Sequence, residues 1–212
     1  MSYFYIDNTF FTLLDYPISY LEFYGTIAGI IAVWLAAKSN ILTWPIGLIN
    51  IMLFFIIFFQ VQLYSDMFLQ VYFFGISIYG WYNWIYEKKI NIPIKVLELK
   101  YILFLTIGTL GLSLIFGFFI KNIHSIWPQV FTKPAAYPYT DSFVTIASIV
   151  ANTLLAKRYF ENWIIWIIVD IICIFLYAFK EIIFVSFEFF IFLLIAIYGH
   201  WSWWREYKLG KL

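Results

Sequence analysis

A single cysteine, Cys173, leaves the chain without an internal disulfide, so no covalent staple holds its fold. That cysteine is expected as a buried apolar side chain. The two histidines, His124 and His200, have no second His or Cys at ligand spacing, which excludes the usual metal centres. No glycine-rich phosphate loop occurs and no nucleophile–base pair is suggested by spacing. An ATP-driven pump is therefore excluded, and no cofactor or catalytic residue is expected. Charge is also scarce. Asp, Glu, Lys and Arg make up 12% of the residues, where a soluble domain has roughly 25%. A net charge of +1 gives no reason to expect a nucleic-acid partner. The first nineteen residues hold no Lys or Arg and no small-residue cleavage site, so they are expected as an interfacial aromatic stub and not a signal peptide.

What is abundant points to the bilayer. Hydrophobic residues make up 64% of the chain and aromatic residues 25%. A span needs about 20 apolar residues. Seven runs qualify, at residues 20–37, 41–59, 67–86, 101–120, 141–157, 162–179 and 182–204. The pattern predicts an all-α membrane protein of seven transmembrane helices. The fifth run is the most polar, with Ser142, Thr145, Ser148, Asn152 and Thr153, and is expected to face protein or a cavity. The first hairpin of interest turns at Tyr64-Ser65-Asp66. His124 is placed in an external loop. The fourth run is plain and carries Gly108, Gly111 and Gly117, which predict close helix packing. With the N-terminus outside, ten of the thirteen basic residues fall inside, and only Lys121, Lys133 and Lys180 lie outside.

Sliding the chain by 119 residues matches its two ends. Thr26-Ile27-Ala28 meets Thr145-Ile146-Ala147, Ala37-Lys38 meets Ala156-Lys157, and Trp44 meets Trp163. Tyr79-Gly80 meets Tyr198-Gly199, and Trp84 meets Trp203. A fixed offset of this kind is a repeat signature. Two three-helix units would lie inverted if joined directly; one extra crossing restores a common orientation. The expected organisation is a 3+1+3 parallel repeat, N-out and C-in: residues 1–19 a stub, 20–86 the first repeat, 87–140 a linker helix with flanking loops, 141–204 the second repeat, and 205–212 a cytoplasmic tail. Parallel repeats occur in transporters, with the substrate at the repeat interface near midplane.

Polar groups mark the candidate site. On the sixth run Trp163, Trp166, Asp170, Cys173 and Tyr177 recur at steps of three and four, one stripe of a helix. A carboxylate in mid-span costs about 2.5–3.5 kcal/mol even on the lenient insertion scale. Asp170 should therefore face a cavity, a cation or a partner such as Asn152 or a tyrosine hydroxyl. Two tryptophans and a tyrosine beside it suit a flat aromatic cation. In the first half Trp44 and Asn50 make the matching stripe, while Gln70 and Ser77 share a face of the third run. Glu188 lies within one residue of the position equivalent to Gln70. Trp81, Trp84, Trp201, Trp203 and Trp204 are expected mostly as an aromatic belt. Two readings of other classes stay open: an intramembrane enzyme, with Asp170 and Glu188 the only candidate pair, and a membrane scaffold that transports nothing.

The runs Gly47-Leu48-Ile49-Asn50, Phe58 to Tyr64 (FFQVQLY), Leu69-Gln70-Val71 and Ile78 to Trp84 (IYGWYNW) resemble the PnuC family of nicotinamide riboside transporters. Asp141-Ser142, Ser148 to Ala151 (SIVA) and Glu161-Asn162-Trp163 through Trp166 extend the resemblance to the second half. It implies a seven-helix 3+1+3 fold similar to SWEET sugar transporters, a bacterial inner-membrane location and a homotrimer. It also implies import by facilitated diffusion, with cytoplasmic phosphorylation trapping the vitamin. The ligand-facing positions it implies are Trp44, Asn50, Gln70, Trp163 and Trp166, with Asp170 beside them. Related members carry thiamine or riboflavin, so thiamine is the alternative substrate.

Overall fold

The computed structural model describes residue 5 and residues 8–13, 16–60, 64–89, 93–129, 134–180 and 183–210. A short antiparallel hairpin, β1 (Thr9–Leu13) and β2 (Tyr16–Ser19), comes first. It stands where an interfacial stub was expected. It leads straight into α1 (Tyr20–Ala37), whose start is fixed by a capping box. The Ser19 Oγ accepts from the Glu22 backbone N–H at 3.2 Å, and the Glu22 carboxylate accepts from the Ser19 N–H at 2.8 Å. The Tyr16 hydroxyl donates to the other Glu22 oxygen at 2.9 Å, tying hairpin to helix.

Six more helices follow: α2 (Thr43–Gln60), α3 (Tyr64–Lys89), α4 (Leu99–Ile126), α5 (Pro138–Ala156), α6 (Asn162–Phe179) and α7 (Ile183–Leu209). Several bounds differ from the sequence reading. Residues 64–66 are already helical, so they are not the turn. Gln62, within the run from Phe58 to Tyr64, lies outside the described residues, as do Lys133, Glu181 and Lys211. His124 belongs to α4, which runs on to Ile126 because nothing breaks it before Pro128; that proline disfavours helix at Trp127. Pro138 opens α5, at a first-turn position where its missing N–H is no loss. Among the described residues five helices, α1, α2, α4, α6 and α7, are long and apolar enough to cross a membrane. The two that fall short, α3 and α5, pack on each other, and the Tyr72 hydroxyl bonds the Thr153 hydroxyl between them at 2.6 Å.

The main helix contacts run around a ring: α1 on α2, α2 on α3, α3 on α5, α5 on α6, α6 on α7, and α7 back on α1. Helix α4 packs on α5 alone within this set and exposes most of its surface. Of its three glycines only Gly117 makes a close approach, against Tyr139; Gly108 and Gly111 face open space, so close packing through small residues is confined to one position.

Equivalent bonds recur at the 119-residue offset. The Trp84 indole N–H donates to the Leu155 carbonyl at 3.2 Å, and the Trp203 indole N–H donates to the Ala36 carbonyl at 3.0 Å. These carbonyls lie in the last turns of α5 and α1, where helix acceptors lack intrahelical donors. The turns after those helices match too: Ser39 (φ 51°) and Arg158 (φ 58°) are both left-handed. The core at this end joins Ala36, Ala37, Trp44, Trp84, Leu155, Ala156, Trp163 and Trp203. Trp84 and Trp203 are thus buried pins between the two halves and not belt residues, while Trp81, Trp201 and Trp204 are exposed as a belt requires. Each pin is a buried indole hydrogen bond plus a large apolar ring. Each carbonyl also accepts a backbone N–H, from Arg158 at 3.0 Å and from Ser39 at 2.9 Å, so Trp84→Phe and Trp203→Phe are each expected to cost about 0.5–1.5 kcal/mol for the lost indole bond, and to lower the detergent melting temperature by similar amounts. Unequal effects would show that the two bonds are not equivalent.

The α3–α4 connection is ordered where it meets the α5–α6 turn. Lys95 donates its N–H to the Arg158 carbonyl at 2.9 Å and accepts from the Phe160 N–H at 2.8 Å. The Leu97 N–H donates to Glu161 at 2.9 Å. Burial pushes the Glu161 carboxyl above its usual range, and that N–H works against the shift.

Candidate functional site

Two tryptophans begin the site, one from each half. Trp44 at the start of α2 is 3% exposed and Trp163 at the start of α6 is 1% exposed. Each lies against a glycine of the third helix of its own half. A Cβ at Gly199 would fall 2.7 Å from the Trp163 ring, and one at Gly80 would meet Trp44 closer still. Glycine is what lets the rings lie flat on α3 and α7. Both indole N–H groups are buried without a hydrogen-bond partner among the described residues. An orphan donor of that kind is uncommon and calls for an explanation. Two of them at matched positions make a ligand or water acceptor the natural one. The rings are linked through the pins: Trp44 to Trp84 edge to face at 5.3 Å, Trp84 to Trp203 tilted at 6.0 Å, and Trp203 to Trp163 edge to face at 5.7 Å.

The α6 stripe holds as a structural unit. Trp166 is half-buried and packs against both core clusters. Asp170 is 3% exposed and makes no hydrogen bond among the described residues. Neither Asn152 nor a tyrosine hydroxyl satisfies it there. Cys173 is fully buried one turn on, as expected. Tyr177 stacks on Phe189 at 5.4 Å with the rings 10° apart. Lys180 closes the stripe, its Nζ 2.9 Å from the Asp141 carboxylate and 5.5 Å from the Tyr177 ring. The Lys180 cation is therefore already paired.

The neutral residues behave differently from one another. Asn50 donates its amide to the Gly25 carbonyl of α1 at 2.8 Å, and its Nδ2 lies against Gly29. It ties α2 to α1, so one of its two amide donors is spent inside the protein. Gln70 and Asn152 are half-buried and Ser77 is buried. Their side chains make no hydrogen bond among the described residues. Glu188 is half-buried on α7, which packs on α1. The Tyr72 and Thr153 hydroxyls join α3 to α5. Phe192 connects the two walls: it approaches Gly29 beside Asn50 and meets Phe189 edge-on at 6.0 Å.

Three participants escaped the sequence reading. Tyr72 carried no signal beyond its type. Arg158 counted only toward charge orientation, and Glu206 toward a tail. In the fold Arg158 is buried and its Nη2 donates to Glu206 at 3.0 Å.

Similarity to known proteins agrees with this anatomy. A family model described as nicotinamide mononucleotide transporter matches residues 19–205. The nicotinamide riboside transporter PnuC of Escherichia coli (strain K12) is 34% identical over 208 residues, covering 89% of this chain and 86% of that protein. The riboflavin/roseoflavin transporter RibM of Streptomyces davaonensis is 22% identical over 207 residues, covering 94% and 91%. The crystal structure of the vitamin B3 transporter PnuC matches with a TM-score of 0.67 at 22% identity, over 90% of this chain and 83% of that one. At that identity the match speaks for the fold. These relatives are carriers, not enzymes. The chain belongs to the nicotinamide mononucleotide transporter family, to which PnuC is similar throughout, and is a multi-pass membrane transporter.

Proposed function

We propose that the protein is a facilitator that imports nicotinamide riboside across a bacterial inner membrane, with cytoplasmic phosphorylation trapping the vitamin. The observation that carries this reading is Asp170, a buried carboxylate with no partner among the described residues, on an aromatic stripe. Nicotinamide riboside presents a flat cationic ring, which supplies the missing charge. The 34% identity to a protein named for that substrate supports the choice. A mononucleotide would bring a phosphate into a stripe holding Asp170, whose cation Lys180 is already paired with Asp141. Riboflavin is uncharged and offers the carboxylate hydrogen-bond donors but no opposite charge. Thiamine, also an aromatic cation, is the second reading that Asp170 favours.

The proposed architecture is a 3+1+3 parallel repeat, N-out and C-in, assembled as a homotrimer. The paired indole bonds and the paired left-handed turns at a constant offset support the repeat. The basic residues of the α1–α2 and α5–α6 turns support the orientation. The site then has a neutral wall of Trp44, Asn50, Gln70 and Ser77. Opposite it stand Trp163, Trp166, Asp170 and Tyr177, with Asn152 and Glu188 at the margins.

Proteoliposomes test the reading. Labelled nicotinamide riboside is expected to enter saturably without ATP or an ion gradient and to stop at equal concentrations. Enclosing a riboside kinase with ATP should turn that equilibration into accumulation. Unlabelled thiamine competing as well as unlabelled nicotinamide riboside would favour the second reading. No saturable uptake by folded protein would sink both.

A further inference from the structure

At the end of the bundle that carries the α1–α2 and α5–α6 turns, a cavity of about 330 Å3 opens between Lys38, Ser39, Asn40, Trp84, Arg158 and Glu206. Its volume is at the lower end of small-molecule sites, roughly 300–1,000 Å3. One wall is aromatic, Trp84, and one is anionic, Glu206. Between them sits a planar cation of the protein's own. The Arg158 guanidinium lies 5.4 Å from the Trp84 ring, and its Nη2 donates to Glu206 at 3.0 Å. The other Glu206 oxygen accepts from the Ser39 hydroxyl at 2.6 Å.

Two features make Arg158 a placeholder and not a fixed strut. Its Nε–H has no hydrogen-bond partner among the described residues, so part of the guanidinium is unsatisfied there. Its backbone, by contrast, is held. The left-handed φ of 58° and the pairing of the Arg158 carbonyl and Phe160 N–H with Lys95 fix the turn. The side chain can therefore leave while the turn stays. The same Trp84 ring meets Trp44 edge-on at 5.3 Å, so the cavity and the candidate substrate site border the same aromatic cluster.

We propose that this cavity is an exit subsite for a planar aromatic cation, which takes the place of the Arg158 guanidinium between Trp84 and Glu206 on leaving the membrane. Stacking on Trp84 and ion pairing with Glu206 are the two interactions Arg158 now makes, and the substrate ring is able to make both. Lys38 on the cavity wall opposes a resident cation and so favours release over retention. This inference rests on the cationic substrate and on the orientation proposed above.

Transport of labelled nicotinamide riboside in proteoliposomes of defined orientation separates the possibilities. KM is measured from each side. Glu206→Gln removes the anion and keeps a hydrogen-bond acceptor for Ser39. It is expected to raise the ratio of KM at the cavity side to KM at the opposite side about tenfold, or about 1.4 kcal/mol. Arg158→Asn removes the competitor, and asparagine tolerates the left-handed backbone. It is expected to lower the same ratio about threefold or more. Arg158→Lys, which stacks less well on Trp84, carries the same expected sign and serves if the asparagine variant is unstable. Movement in the same direction for both partners, or no movement, overturns the proposal and leaves the ion pair as a strut between turns. A wild-type protein without saturable transport would instead overturn the assigned substrate, and the exit subsite with it.

Discussion

Asp170→Asn is expected to weaken binding of nicotinamide riboside by about a hundredfold, about 3 kcal/mol, without lowering the melting temperature. The two halves of that expectation come from the same observation. Asp170 is 3% exposed and makes no hydrogen bond among the described residues. An ionised group taken from water without a partner is costly to the fold. Its neutral isostere removes that cost, so the ligand-free protein is expected to be as stable or more stable. The substrate cation is what would repay the desolvation, and the amide cannot attract it. A paired structural acid behaves oppositely: removing it leaves a partner stranded and destabilises by about 3–5 kcal/mol. Thermal unfolding and calorimetric titration on the same preparation distinguish the two. A variant that unfolds readily yet binds normally would make Asp170 a structural residue.

The glycines beneath the tryptophans carry the second large effect. Gly80→Ala and Gly199→Ala each put a methyl group inside contact distance of a buried ring, 2.7 Å at Gly199. Neither Trp44 nor Trp163 has room to retreat, since both are packed into the same core. Overpacking a rigid core costs about 1–3 kcal/mol and at times more, and the upper end is expected here. Displacing the ring also moves a buried indole N–H that has no hydrogen-bond partner among the described residues, so substrate affinity should fall with stability if that N–H serves the ligand. Gly75→Ala is the control: nothing lies within 4 Å of a Cβ there. That change should be neutral or slightly stabilising, because alanine is the better helix former. Equal melting temperatures for all three variants would show that the tryptophans are not held as described.

Much of this was readable in the residues. The bounds of α1 and α6 were read as they stand, and the others shifted by only a few residues, because apolar run length and short polar breaks decide them. The α6 stripe was readable because helical period alone places Trp163, Trp166, Asp170, Cys173 and Tyr177 on one face. The 119-residue offset matched tryptophans and glycines that the fold brings into equivalent contacts. What stayed hidden is of a different kind. Trp84 and Trp203 looked like belt residues because composition cannot say that a carbonyl at the end of another helix waits for an indole N–H. Asn50 looked like an open site group, but the small Gly25 and Gly29 let α2 come close enough for its amide to reach α1. Arg158 was one charge among many until the turn brought it between Trp84 and Glu206. The hairpin before α1 was missed although Ser19 and Glu22 spell a capping box.

Charge complementarity between Asp170 and a cationic ring is the central claim, and it is tested most directly by changing the charge on both sides. Calorimetric affinities are needed for nicotinamide riboside and for its uncharged dihydro form, with wild-type protein and with Asp170→Asn. The account predicts that the wild type prefers the cation by at least about tenfold and that the asparagine variant loses this preference. The same preference in both proteins would contradict it.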